Sequence, residues 1–183
     1  FFPPTSVLSD NGKIADRHLY LKHIAENYLL NKSKKNELFL RYRFLSPCSK
    51  IIKKEFIQDH HLKFDEILYG NDMMFSTKVG HFMQTFEVSS DVIYCMTTRY
   101  GSLTSNLKKN AFDMRFGVYL SYYKFLNKSL LKKEVNILDL ELGLLYFLTR
   151  SLFRYEFKDF LKVVNILRQE NIKWFKIKYL NPI

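Results

Sequence analysis

The chain has 183 residues, 47% of them hydrophobic, with 17 Phe and 12 Tyr. This composition excludes an intrinsically disordered chain and allows one domain, or slightly more, with a substantial core. The net charge of +11 favours polyanionic partners, namely nucleic acid, an anionic membrane surface or a phosphate-bearing substrate, without choosing among them.

Six Gly and four Pro are few for this length, so helices should dominate. Cys48 and Cys95 have neither CxxC nor metal-type spacing, and we expect two buried thiols in a reducing compartment. The longest apolar run, residues 137–153, contains Asp139, Glu141 and Arg150. It is therefore too short and too charged for a membrane-spanning helix.

The first third of the chain predicts short elements. Residues 1–13 have the pattern of a strand end and a turn, and the opening Phe-Phe-Pro-Pro suggests a start inside a larger fold. Apolar spacing predicts a helix over 14–30, and a short helix follows over 37–44. Pro47 should end that helix, with a short strand over 48–52 and a helical piece over 53–59.

The remaining elements are longer. A helix is predicted over 71–83, and residues 87–98 are the best strand in the sequence because they are rich in β-branched and aromatic residues. A turn follows at 99–102. Helices are then predicted at about 107–125, 138–153 and 157–170, before a tail in which bases alternate with aromatic residues.

Asp72 lies at the start of the predicted helix 71–83, directly after a Gly turn. An acid at this position faces the positive end of the helix dipole and can stay ionised while pointing into a cleft. That is a plausible position for a general base. The ordinary alternative is a capping or first-turn residue, and the local pattern alone favours it.

Four segments give this acid a context, because together they resemble family 2 glycosyltransferases. Residues 46–57 (SPCSKIIKKEFI) are similar to W-x-K-[LI]-[YF]-[KR]-[KR]-E-x-[LI], and 61–66 (HLKFDE) to N-I-x-F-D-E. Residues 70–75 (GNDMMF) resemble x-E-D-x-x-F, and 94–104 resemble Y-x-Y-R-x-R-x-G-S-I-T. Residues 1–7 resemble the D-I-V-x-F strand region, so the likeness covers about residues 1–105 in order and spacing.

Three positions depart from the family pattern. Asn71 replaces the usual Glu, Thr97 stands where the first Arg of the R-x-R pair falls, and the usual Trp is replaced near Pro47 and Cys48. Asp72 itself and the Arg-x-Gly-Ser segment are kept. The departures concern the identity of donor or acceptor more than the type of reaction.

The resemblance implies a fold and a division of the chain. We expect an α+β, helix-rich chain: the C-terminal part of a GT-A-like α/β fold with few short strands, followed by a helical extension. Residues 1–104 would be the acceptor-side half of the glycosyltransferase domain, and residues 105–183 the extension.

The resemblance also implies an activity and its residues. The enzyme would transfer a sugar from a nucleotide-sugar donor to a hydroxyl acceptor with inversion, and Asp72 would be the general base. Asn71, Arg99, Gly101 and Ser102 would bind substrate, with Arg99 as the partner of an anion. A simple turn is the alternative for the 99–102 segment.

The cofactor implied by the resemblance is a divalent metal, Mg or Mn, held by an Asp-x-Asp. That motif and the nucleotide-binding βαβ unit lie N-terminal to the matched region, so we expect no metal site in this chain and no turnover by this fragment alone. The nearest similar pattern, Asp139-Leu140-Glu141, is interpreted as a solvated helix face.

The implied setting is bacterial surface polysaccharide synthesis in the cytoplasm, at the inner face of the cytoplasmic membrane, with a glycan or lipid-linked acceptor. The basic aromatic tail, residues 173–179, could rest peripherally on an anionic membrane. We also expect apolar surface exposed around Phe1 and Phe2, and self-association through it. The alternative is a non-enzymatic, basic helical module that binds protein or nucleic acid, although the sequence has no recognised nucleic-acid motif.

Overall fold

The computed structural model describes residues 1–99, 101–103, 108–176 and 179. The chain is helix-rich, with 58% of the described residues in helices and a short parallel sheet, which confirms the predicted α+β, helix-rich class. In chain order the elements are β1 (Thr5–Leu8), α1 (Leu19–Leu30), α2 (Lys34–Tyr42), α3 (Lys54–Asp59), α4 (Asn71–Phe82), β2 (Cys95–Thr98), α5 (Lys109–Ser129), α6 (Lys132–Leu138), α7 (Glu141–Arg154) and α8 (Phe157–Gln169).

Strands β1 and β2 pair in parallel, with Thr5 opposite Cys95 and Leu8 opposite Thr98. Parallel neighbours require a crossover connection, and here α1 to α4 lie within it. The predicted strand over 87–98 was too long, because only its last four residues pair with another strand.

The predicted strand over 48–52 was wrong. A 3₁₀ turn, Pro47–Ser49, occupies its first half, with Pro47 at the first position of the turn. The ring of proline fixes φ near the helical value, which favours a helical turn over an extended strand.

The connection between α1 and α2 is closed by Asn36. Its side-chain Nδ2 donates to the carbonyls of Asn27 (3.0 Å) and Asn31 (2.8 Å), which satisfies two acceptors at the end of α1. The hydroxyl of Ser33 accepts from the Asn36 backbone N–H at 3.3 Å and so caps α2. The two helices can therefore pack side by side over a core of buried residues: Ile24, Ala25, Leu40 and Phe44.

The chain divides into two compact units, Phe1–Tyr122 and Tyr123–Ile183. The functional division predicted after residue 104 stays a prediction. In the first unit a second core, formed by Leu62, Phe75 and Val79, fixes α4. In the second unit α7 packs against α8. Among the described residues, no helix is both long and apolar enough to cross a membrane.

Two expectations about exposure were wrong. Phe2 is buried, and the ring of Phe1 packs edge-on against Phe44 and Phe86 at centroid distances of 5.5 and 5.9 Å. Self-association through this region stays a prediction. The free thiols of Cys48 and Cys95 are exposed rather than buried.

Helices α2 and α4 cross at Gly80, where the two backbones come into contact. A Cβ atom added to Gly80 would lie 1.9 Å from the carbonyl oxygen of Arg41. The Arg41 guanidinium then donates to the carbonyls of Gly80 (2.9 Å) and Met83 (2.8 Å), and to the Glu37 carboxylate (2.6 Å). These bonds satisfy orphan carbonyls at the end of α4 with a charged donor.

We expect Gly80→Ala to destabilise the chain by about 3 kcal/mol or more, because the atoms that must move are backbone rather than flexible side chain. Gly117→Ala is the matched control, since its Cβ would meet nothing within 4 Å. That helical substitution should stabilise by up to about 1 kcal/mol. Urea unfolding of both variants measures the difference, and equal stability of the two would contradict the close crossing.

Candidate functional site

Asp72 lies in the first turn of α4, as predicted, and its side chain is half-buried. Gly70, the residue before the helix, has the left-handed conformation with φ of 80° and lets the chain turn sharply into α4. The backbone N–H of Met73 donates to the Gly70 carbonyl at 3.1 Å, and that of Asp65 donates to the Asn71 carbonyl at 3.2 Å. The turn therefore presents Asp72 at the positive end of the helix dipole.

Helix α5 supports this turn from behind. The Val118 side chain approaches so closely that a Cβ on Gly70 would lie 3.4 Å from it. The backbone N–H of Tyr69 points at the Met114 sulfur at 3.4 Å. The start of α4 is thus fixed both by its own glycine and by packing against α5.

Arg115, on the same helix, joins two parts of the predicted site. Its guanidinium lies over the Tyr69 ring, 5.0 Å from the centroid, and its Nη2 donates to the Leu103 carbonyl at 2.7 Å. The turn before Asp72 and the loop that carries Gly101 and Ser102 are therefore connected through one side chain. Arg115 was not predicted as a site residue, because its position in a long amphipathic helix gives it no local motif.

The remaining predicted residues lie in the loop after β2. Arg99 and Gly101 are exposed, and Ser102 is half-buried. Gly101 has a φ of 73°, which supports the simple-turn explanation for its presence. Tyr100 and Thr104 of the same motif lie outside the described residues.

Lys50 is a charged group that interacts electrostatically with Asp72. Its ammonium donates to the carbonyls of Phe44 (2.6 Å) and Ser46 (3.1 Å) and lies 5.6 Å from the Phe1 ring centroid. Burial lowers the pKa of Lys50 to about 7, and the nearby Asp72 carboxylate opposes this shift by favouring the charged amine. Two of the segments that carry the family resemblance are therefore electrostatically coupled.

A cleft in the first unit has a volume of about 840 Å³ and lies toward the other end of α4. Its lining is mainly apolar and aromatic, and His60 stacks on Phe82 with the ring centroids 4.7 Å apart. Lys50 lines this cleft, but Asp72 does not. The candidate base and this cleft are thus separate features, and Lys50 lines only the cleft.

The interpretation of Asp139-Leu140-Glu141 as a solvated helix face was wrong. Leu140 and Glu141 are buried, and Asp139 has a left-handed conformation between α6 and α7. The Lys176 ammonium lies 3.4 Å from the Asp139 carboxylate and 2.6 Å from that of Glu141. Because the Lys176 ammonium already pairs with both carboxylates, this pattern does not fit a metal site.

In the part of the chain that the structure describes, no three His, Cys, Asp or Glu side chains are grouped to hold a metal ion. Comparison with family models, curated proteins and solved structures finds no match to this chain. The candidate site therefore rests on its own geometry and on the motif resemblance.

The lowered pKa of Lys50 has a measurable consequence for stability. Between about pH 7 and its ordinary pKa of 10.5, the unfolded chain holds more protons at this residue than the folded chain. The free energy of unfolding should therefore rise with pH across this window, and Lys50→Met should remove that part of the slope. Urea unfolding at about pH 7 and pH 9 measures it.

Lys53→Met is the matched control for the loss of a lysine, because Lys53 is exposed on the wall of the same cleft. It should leave the slope unchanged. A Lys50→Met variant with the wild-type slope would show that Lys50 is not desolvated in the folded chain.

Proposed function

We propose that this chain forms the acceptor side of an inverting, GT-A-type glycosyltransferase related to family 2, with Asp72 as the general base. The observation that carries the proposal is the position of Asp72 in the first turn of α4, where Arg115 connects the preceding turn with the loop of Gly101 and Ser102. Asp72 and this loop come from separate motif segments, and a simple helix-capping acid would not require such a connection.

The reaction follows from the position of the carboxylate. Asp72 removes the proton from the acceptor hydroxyl as its oxygen attacks the anomeric carbon of the donor sugar. The new carbon–oxygen bond forms while the bond to the nucleoside diphosphate breaks on the opposite side, so the configuration inverts. Burial lowers the pKa of Lys50 to about 7, so the charge of this lysine changes near neutral pH.

The other predicted residues take supporting roles in this proposal. Asn71 precedes the base on the same helical turn, and Arg99, Gly101 and Ser102 form a loop that would face the substrate phosphates. Arg115 is a positioning residue, because it connects that loop with the turn before Asp72. A divalent metal would be held by an Asp-x-Asp outside this chain and would neutralise the leaving diphosphate.

We further propose that the full-length enzyme uses a glycan or lipid-linked acceptor, in bacterial surface polysaccharide synthesis at the inner face of the cytoplasmic membrane. The fragment alone should be inactive. Support comes from the motif order and from the apolar cleft beside Lys50, which suits an acceptor with an apolar part.

The test is Asp72→Asn in the full-length protein, assayed by release of nucleoside diphosphate from a panel of nucleotide sugars. The amide keeps the size of the side chain but cannot accept the proton, so kcat should fall by about 10²- to 10⁴-fold. Donor affinity should change little, because Asp72 would act on the acceptor. Undiminished transfer would exclude Asp72 as the base.

Asp59→Asn is the matched control, since it makes the same chemical change at the exposed end of α3. It should leave kcat unchanged. An equal loss of activity in both variants would point to a general effect of lost acidic charge rather than to catalysis.

A further inference from the structure

Helix α7, in the second unit, is apolar on two opposite faces. Its inner face buries Leu144, Phe147 and Leu148. Its outer face carries Leu142, Tyr146 and Phe153, which are 53%, 51% and 83% exposed. The spacing of four and then seven residues places the three on one stripe of the helix, on the side opposite the buried stripe.

Helix α8 also has both buried and exposed apolar side chains, and the exposed ones lie near the loop that joins it to α7. It buries Val163 and Leu167 but exposes Phe157 and Leu161, which are one turn apart. Phe153 and Phe157 flank the connection between the two helices. The second unit thus presents a run of large apolar side chains that its own core does not use, and such a surface marks an interaction site.

Basic side chains accompany this surface. The Arg150 guanidinium donates to the Tyr146 hydroxyl and lies 5.4 Å from the centre of that ring, so a cation is held on the apolar stripe itself. Arg154, Lys158 and Lys162 follow at the end of α7 and on α8. Lys158 lies 2.8 Å from Glu156, but both side chains are more than 70% exposed, so this pair is weak.

The second unit as a whole is basic. Residues 123–183 contain twelve Lys or Arg and six Asp or Glu. A second copy of the same face would bring Arg150 and Arg154 against their own copies, and like charges oppose that pairing. A surface that combines exposed Leu and Phe with flanking Arg and Lys is instead complementary to the surface of a lipid bilayer, where anionic headgroups cover apolar acyl chains.

We propose that the outer stripe of α7 and the first turns of α8, defined by Leu142, Tyr146, Phe153, Phe157 and Leu161, dock on a bilayer that contains anionic lipids. The helices would lie in the plane of the interface, with the aromatic rings among the headgroups and the Arg and Lys side chains against the lipid phosphates. This inference does not depend on the role of Asp72.

The surface differs from the one that the sequence predicts. The alternating tail, residues 173–179, was the expected membrane contact, but the Lys176 ammonium pairs with Asp139 and Glu141 inside the unit. Residues 177 and 178 lie outside the described residues. The apolar side chains of the α7–α8 surface are more exposed than those of the tail, with Phe153 and Phe157 at 83% and 63% against 45% for Phe175.

The test is flotation of the intact chain with vesicles of phosphatidylcholine, with and without about 30% phosphatidylserine, at about 0.1 M salt. The wild type should bind the anionic vesicles and only weakly the neutral ones. The double variant Phe153→Ser, Phe157→Ser should lower the partition coefficient roughly tenfold or more, because it removes the two most exposed rings. Arg150→Gln with Arg154→Gln should abolish the preference for anionic vesicles.

Ile14→Ser with Leu30→Ser is the matched control, because those side chains are 80% and 85% exposed in the first unit. It should leave vesicle binding unchanged, and the circular dichroism of all variants should match the wild type because no core residue is altered. Equal loss in the control, or no binding of the wild type to anionic vesicles, would overturn the proposal. Dimerisation without lipid that depends on Phe153 and Phe157 would also overturn it, and so would binding to duplex DNA that depends on the same two residues.

Discussion

The arrangement of the first unit depends on the contact between α2 and α4 at Gly80. Two helix backbones can approach to this distance only where one residue has no side chain, and the Arg41 guanidinium then bonds across the gap to the carbonyls that end α4. The close approach and the charged hydrogen bonds require each other. If the two helices lay further apart, the Arg41 guanidinium could not reach the carbonyls at the end of α4, and a side chain at residue 80 would prevent the close approach.

This crossing fixes α4 at its end, while Gly70 and the side chains of α5 fix its beginning. A helix held at both ends keeps its first turn rigid, which a general base requires, because small displacements are costly to proton transfer. Lys50 adds an electrostatic component. Two carbonyls orient its ammonium, and its charge is sensitive to pH near neutrality because burial disfavours it.

Some helices were predictable from the sequence because their apolar pattern depends on local spacing, but α6 was not predicted, and the helices predicted over 14–30 and 138–153 begin later, at Leu19 and Glu141. The helices at 71–83 and 157–170 were placed within about a residue of α4 and α8, and Asp72 lies in the first turn as predicted. The strand at 87–98 was overextended, since a strand also needs a partner and β1 offers four residues. Arg115 and the Lys176 pair were missed, because contacts between distant segments leave no periodic signal.

The separation between Asp72 and the cleft constrains the proposed acceptor. The cleft is lined by Val79 and Phe82 on α4, and Phe82 is ten residues, or about 15 Å of helix, beyond the candidate base. A single sugar ring is too short to occupy the cleft and also present a hydroxyl to Asp72. An acceptor that fills the cleft and also presents a hydroxyl to Asp72 must extend past Lys50. The positive charge of Lys50 would favour an anionic group between the apolar part of the acceptor and its sugar. The proposed chemistry therefore favours an amphiphilic acceptor over a free monosaccharide.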